Sequence, residues 1–251
     1  MIVVELKGGF GNWMFQIAFC EYLKQFSNFK PQICILTHSP HNSTDLMSGV
    51  FQNWKESLTK NNTIHHFNEE FLLPYDWKDV ISRFPNIYIS GYFQNYNYIT
   101  SSFLNSLNFI NDNEIIKKYP YINNTVFLHI RGGDYLGNWT HDVDLSTNYY
   151  PNAIKQFPEG TKFSVFTNDI QYAKTKLFLN GISHEFIQES EVDSMYLMSK
   201  CWGGICANSS FSWWGAYLNK NRKLILPSKW FNNARLYTKG YYFPEATVVD
   251  V

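Results

Sequence analysis

Net charge, zinc-spaced cysteines and long apolar runs are all missing from this sequence, and each absence removes a class of protein. Lys and Arg together number 21, and so do Asp and Glu. A chain in such balance lacks the basic field by which duplex nucleic acid or an anionic membrane surface is bound. Cys20, Cys34, Cys201 and Cys206 repeat no C-x2-C spacing and have no paired histidines nearby, which argues against the common zinc frameworks. They read as buried thiols of a reducing compartment. No run approaches the ~18 apolar residues of a membrane span. Glu5 and Lys7 interrupt the apolar opening at once, so no secretory signal is expected and the chain reads as a soluble cytoplasmic protein. Charged residues make up 17% against 45% hydrophobic, the reverse of a disordered chain. A length of 251 residues suits one large core or two moderate ones without staples. The aromatic fraction of 18% suits sugar-stacking surfaces, but it follows as readily from a biased composition.

What is present is an alternation of strands and helices. Ile2 to Leu6 is a β run, followed by a glycine loop, Gly8 to Asn12. Phe15, Ala18, Phe19, Tyr22, Leu23 and Phe26 then form a stripe at helical spacing. Gln32 to Thr37 reads as the next strand, which makes an opening parallel βαβ unit. Residues 38–85 are polar and broken by Pro and Asn, without a clear assignment, and Ile87 to Ser90 is a further strand. Beyond about residue 125, strands are expected at Thr125–Ile130, Lys162–Thr167, His184–Ile187, Gly203–Ala207 and Lys223–Leu226. Helices are expected at Ala173–Leu179, around Met195–Met198 and at Ser210–Asn219. This alternation implies an α/β fold with mostly parallel sheets and ligands at the strands' carboxyl ends. The polar stretch 112–124, which carries Pro120, is the expected boundary between two parts.

Two segments carry chemistry at such strand ends. In His129-Ile130-Arg131-Gly132-Gly133-Asp134-Tyr135, the Arg131 fork matches phosphate or carboxylate, and the glycines let backbone approach an anion. An Arg131–Asp134 ion pair closing a tight turn is the plainer reading. Asn208-Ser209-Ser210-Phe211-Ser212-Trp213-Trp214-Gly215 joins a strand to a helix whose N-terminus, capped by Ser209 or Ser210, suits a phosphate. Together they make a diphosphate pocket, although neither is a Walker loop. Gly9-Phe10-Gly11-Asn12 is not a dinucleotide fingerprint, because Met14 stands where its third glycine belongs. It remains a close-approach turn, with Asn12 and Gln16 one helical turn apart and able to share a cleft. Asp142-Val143-Asp144 has the spacing that many sugar transferases use for a divalent metal on a nucleotide diphosphate, but short acidic loops are common.

Five ordered blocks resemble the α-1,2-fucosyltransferases of glycosyltransferase family 11. They are Val4 to Gln16, with its Gly8-Gly9-Phe10-Gly11-Asn12-Trp13-Met14-Phe15-Gln16; Ser90 to Gln94; His129 to Tyr135; Phe166-Thr167-Asn168-Asp169; and Ala207 to Leu218. The resemblance implies an inverting enzyme that needs no metal or other cofactor and moves L-fucose from GDP-β-L-fucose. The acceptor is a sugar hydroxyl of an oligosaccharide or glycan, by the family's habit O2 of a terminal galactose. It implies a GT-B fold of two Rossmann-like domains, with residues 1–120 on the acceptor side and 121–251 binding GDP-fucose. Carried over residue by residue, Arg131 holds the β-phosphate and stabilises departing GDP, and His129 helps place the nucleotide. Ser209 and Ser210 bind phosphate oxygens, within a donor site that also takes in Asn208 and Phe211. Asp193, sixteen residues before Ser209, meets the guanine, and Asn12 sits where donor and acceptor meet. Asp134 is the first candidate for the base, with Glu5 and Asp142 behind it. Trp13, Phe10, Asn168 and Gly132 depart from the family's wording. Two other readings stand beside this one: a metal-dependent sugar transferase using Asp142 and Asp144, and a non-catalytic glycan- or nucleotide-binding relative.

Overall fold

In a computed structural model, the structure describes residues 1–27, 30–35, 43–59, 65–69, 75–109, 112–219, 222–234 and 236–251. The chain divides into two compact units, Met1–Ile110 with Arg235–Tyr241, and Asn111–Ala234 with Tyr242–Val251. Among the described residues no helix is long and apolar enough to cross a membrane.

The first unit is built from β1 (Ile2–Leu6), α1 (Phe10–Leu23), β2 (Gln32–Ile35), α2 (Ser43–Ser48), β3 (His65–Asn68), α3 (Trp77–Arg83), β4 (Ile87–Ser90) and α4 (Ser101–Ser106). Its four strands are parallel in the order β2-β1-β4-β3. Every residue of β1 is buried, the continuous apolar run expected of a strand covered on both faces. The expected amphipathic stripe on α1 is wider in the structure, because nearly the whole helix is buried. Phe19 stacks on Phe93 at 3.9 Å and meets Trp77 at 4.7 Å, and the Trp77 indole donates to the Tyr98 hydroxyl. The expected strand Gln32–Thr37 is seen to Ile35, and its last two residues lie outside those described. The polar region 38–85 holds α2, β3 and α3.

The second unit runs through α5 (Asp112–Lys118), β5 (Val126–Ile130), α6 (Tyr149–Ile154), β6 (Lys162–Thr167), α7 (Ile170–Lys174), β7 (Ser183–Ile187), α8 (Glu191–Lys200), β8 (Gly203–Ile205), α9 (Ser210–Tyr217), β9 (Lys223–Pro227) and β10 (Ala246–Val249). All six strands pair in parallel, in the order β10-β9-β8-β5-β6-β7. Counted from β5, this is the doubly wound order of dinucleotide-binding folds. The expected helix Ala173–Leu179 is instead α7 followed by a 3-10 turn at Leu177–Leu179. The Asp169 side chain caps the Tyr172 N–H, so α7 starts before its apolar stripe. The expected boundary stretch 112–124 carries α5.

Close packing under the site rests on glycines. A Cβ on Gly204 would lie 2.0 Å from the Phe127 ring, and one on Gly215 would lie 2.7 Å from Met198 Sδ, between α8 and α9. Neither neighbour has room to move, since Phe127 and Met198 are both fully buried. Gly204→Ala is therefore an overpacking change, expected to cost about 1–3 kcal/mol. A lowered urea midpoint with unchanged slope is the readout, and an unshifted midpoint would refute the packing argument.

Candidate functional site

Where the order of a parallel sheet reverses, successive connections leave to opposite faces and a crevice opens at the carboxyl edge. In the second unit that point lies between β5 and β8, whose register pairs Leu128 with Ile205. The chain leaving β5 is Arg131-Gly132-Gly133, and the chain leaving β8 is Cys206-Ala207-Asn208-Ser209. Two sequence-predicted blocks are thus brought side by side, and the His129 ring meets Phe211 at 5.6 Å.

Two tyrosine hydroxyls of α6 reach carbonyls near the ends of these strands. The Tyr150 hydroxyl donates to His129 O at 2.7 Å. The Tyr149 hydroxyl donates to Cys206 O at 2.7 Å and Ile225 O at 3.1 Å. Both tyrosines are buried, and burial raises their pKa values far above the ordinary range, so both remain donors. Sequence reasoning missed them; the only sign was a Tyr-Tyr pair in a stretch without strong periodicity.

Above this floor, Arg131 extends from β5 with one guanidinium nitrogen donating to Asp134 Oδ1 at 2.6 Å. Its guanidinium lies over the Tyr135 ring, 4.8 Å from the centroid. The ion pair anticipated as the plainer reading is present, but it uses only part of the fork: Arg131 Nε is buried and has no hydrogen bond. Asp134 is 65% exposed. His129 is buried beside Arg131, and burial, followed by the Arg131 charge, lowers its pKa to about 3. It is therefore neutral at any ordinary pH, and its Nδ1 is also buried without a partner. Unmatched buried polar atoms of this kind are rare and costly.

The loop after Arg131 is pinned to β6. Asn168 Oδ1 accepts from Gly132 N at 2.9 Å, and its Nδ2 donates to Gly132 O at 3.2 Å. Gly133 has φ of +59°, and a Cβ on Gly132 would lie 2.7 Å from the Tyr172 ring. Across the crevice, Ser209 caps α9, accepting from Phe211 N at 3.4 Å, and Ser210 and Phe211 form the first turn. Asn208 is buried and donates to His141 O at 3.0 Å and Trp230 O at 2.9 Å. It braces two loops that border the site. Asp193 lies in the first turn of α8, where it accepts from the capping Ser190 hydroxyl at 2.7 Å. It sits on the same carboxyl edge, after β7 and two strands from β5. Asp142 Oδ2 accepts from Gly137 N. Asp144 accepts from Ser146 N, Thr147 N and the Thr147 hydroxyl, the last of these the main cause of its lowered pKa. Both carboxylates of the Asp-x-Asp thus close turns. Among the described residues no group of three His, Cys, Asp or Glu side chains is drawn together.

In the first unit β1 and β4 are parallel neighbours, and the Gly8–Asn12 loop meets Ser90–Gln94 at their carboxyl ends. Asn12 Oδ1 accepts from Gln94 Nε2 at 2.7 Å. Gln16, expected to share a cleft with Asn12, is instead fully buried: it accepts from Lys7 N at 3.0 Å and donates to Gly91 O at 2.9 Å. It ties the two loops together. Glu5 accepts from the Tyr88 and Ser90 hydroxyls, and Lys7 Nζ lies 3.2 Å away. Burial pushes the Glu5 pKa up, but these partners outweigh it and hold the carboxyl below its usual value. Glu69, not anticipated, accepts from Tyr92 N and Phe93 N at 3.0 and 2.8 Å and steadies Phe93 at its positive φ.

Two α/β units with all-parallel sheets, the second doubly wound, are the architecture of GT-B glycosyltransferases. The chain belongs to glycosyl transferase family 11, whose family model matches residues 1–245. It is 40% identical over 139 residues to the O-antigen biosynthesis glycosyltransferase WbnK of Escherichia coli, a match covering 50% of this chain and 45% of that protein. It is 28% identical over 284 aligned residues to an α-1,2-colitosyltransferase of Escherichia coli, covering 94% of each. Among solved structures, the fucosyltransferase NodZ from Bradyrhizobium is similar with a TM-score of 0.52 and 12% identity, over 86% of this chain and 93% of that one.

Tyr150→Phe keeps the ring and removes only the hydroxyl, taking a buried donor from His129 O at the floor of the crevice. A loss of about 1–3 kcal/mol in unfolding free energy is expected, and a melt indistinguishable from the unaltered protein would show that the carbonyl finds another partner.

Proposed function

We propose that this glycosyltransferase moves L-fucose from GDP-β-L-fucose to a sugar hydroxyl with inversion at the anomeric carbon, making an α-1,2-linked product on galactose or a related sugar. The observation that carries the donor reading is the pair of buried, unsatisfied nitrogens, His129 Nδ1 and Arg131 Nε, at the switch point beside the α9 N-terminus. A diphosphate meets the needs of that place: an Arg fork, a helix start and two glycine backbones converge on it. Family membership and the two relatives, one named for O-antigen synthesis and one for colitosyl transfer, support a glycan acceptor.

In this reading the second unit holds the donor. Arg131 and the Ser209–Ser210 helix start bind the phosphates, neutral His129 and Phe211 pack against them, Asn208 holds the surrounding loops, and Asp193 meets the guanine. The first unit, with Asn12, faces the acceptor. The fucose C1–O bond breaks as negative charge gathers on the β-phosphate, and fixed donors aimed at that charge supply the acceleration, about 3–4 kcal/mol for one such donor. Asp134, held by Arg131 at 2.6 Å, aligns the guanidinium. No metal or further cofactor is needed, since Arg131 does for the leaving group what a divalent cation does elsewhere.

The colitosyl relative favours one second reading of the donor. Colitose is L-fucose without its 3-hydroxyl, so a single absent hydrogen bond separates the two sugars. Calorimetry in EDTA with GDP, GDP-fucose, GDP-colitose, GDP-mannose and UDP-galactose tests both readings. Binding of GDP and GDP-fucose with UDP-galactose excluded is expected; a clear preference for GDP-colitose moves the donor to the second reading, and silence toward every nucleotide ends both. Arg131→Ala is expected to lower turnover about 10²-fold or more without unfolding the protein, and near-normal turnover would remove its role. Ser209→Ala is expected to weaken GDP binding, read by the same titration.

A further inference from the structure

Beyond Arg131, the segment that follows β5 holds a histidine whose proton position can be deduced. The Arg131 guanidinium lies over Tyr135, whose ring is 4.9 Å from that of His141. His141 in turn meets Phe231 edge-on at 5.3 Å. The segment is braced from both sides, by Asn208 on His141 O, by Asn232 N on Thr140 O at 2.8 Å, and by Asn232 Nδ2 on Asp142 O at 2.9 Å. The ring is thus fixed in place, two ring contacts from the guanidinium.

Asn138 sets its tautomer. One side-chain atom of Asn138 accepts from the backbone N–H groups of Thr140 and His141, at 3.1 and 3.3 Å. An atom that accepts two N–H groups is the amide oxygen, so His141 Nδ1, 3.3 Å from it, must be the donor. A neutral imidazole with its proton on Nδ1 carries the lone pair on Nε2. No hydrogen bond to His141 Nε2 exists among the described residues. Burial lowers the pKa of this imidazole, Asp134 opposes the shift, and Arg131 adds to it. These two side chains are the charged groups acting on it, and the ring is neutral at neutral pH.

We propose that His141 Nε2 is the general base that takes the proton of the acceptor hydroxyl. The inference rests on the donor reading above, because the anomeric carbon follows directly from the β-phosphate assigned to Arg131. As the acceptor oxygen bonds to the anomeric carbon, the bond from that carbon to the phosphate oxygen breaks and its electron pair leaves with GDP. The hydroxyl proton moves to Nε2, and the imidazolium formed beside Asp134 later returns it to water. The carboxylates of this unit suit the step less well. Asp134 is engaged with Arg131, Asp142 with Gly137 N, and Asp144 with three donors.

The test compares unaltered protein with His141→Phe, which keeps an aromatic ring between Tyr135 and Phe231, and with His141→Gln. Turnover, GDP affinity by calorimetry and thermal melting are measured for each, with turnover followed from pH 5 to 9. The unaltered protein should show an acid limb in kcat, with activity falling as His141 protonates below the ordinary histidine value. Both variants should bind GDP within about twofold of the unaltered protein, lose about 10²-fold or more in kcat and lose the acid limb. Added imidazole should restore part of the activity of His141→Ala. Variants that bind GDP, keep kcat within a few-fold and retain the limb would overturn the base while leaving the donor site standing. Failure of the unaltered protein to bind GDP would overturn both.

Discussion

In an all-parallel sheet every strand ends on the same edge, and a ligand finds room there only where the strand order reverses. In the second unit that reversal separates β5 from β8, and the rest of the site is hung from their two ends. Separation has a structural cost. The buried carbonyls of His129 and Cys206 lie close to where β5 and β8 diverge, and side-chain donors reach them there. Tyr149 and Tyr150, adjacent on α6, do so from below. One helical turn therefore fixes the height of the floor from which Arg131 and α9 project.

The electrostatics above that floor are simple because one of the two basic side chains is kept neutral. Burial holds His129 uncharged, so it lends a polar nitrogen without a second positive charge to desolvate. Arg131 keeps its charge and balances part of it against Asp134, which is largely exposed and screened by water. What remains is one oriented cation, a helix start and backbone held by Asn168. In the proposed reaction such a frame is set before charge develops, so little reorganisation is left for the moment of bond breaking.

Much of this frame was legible in the sequence, for a physical reason. Strands buried on both faces are continuous apolar runs, so Ile2–Leu6, Thr125–Ile130 and Lys162–Thr167 announce themselves, and the residues after them fall on the carboxyl edge. Edge strands do not: β3 reads His-His-Phe-Asn and is largely exposed, and β10 is half-exposed, so neither shows the pattern. Polar residues inside the blocks were harder. Gln16 and Asn208 look from sequence like ligand contacts, yet both are buried braces, and Asn208 joins segments 67 and 22 residues away in the chain. Nothing local encodes such partners. His141 was invisible for a similar reason, since its proton position depends on which backbone N–H groups Asn138 accepts.

Three of the positions that depart from the family's wording have a structural explanation. Trp13 is fully buried and faces Phe51 in the core of the first unit, so the change there alters an interior and presents no new side chain to an acceptor. Gly132 and Asn168 depart together at the ends of β5 and β6. The glycine admits the Tyr172 ring where a Cβ would collide with it. The amide both donates to and accepts from the same residue's backbone, which a carboxylate, having no donor when ionised, cannot do. The glycine opens space for the ring, and the amide locks the turn.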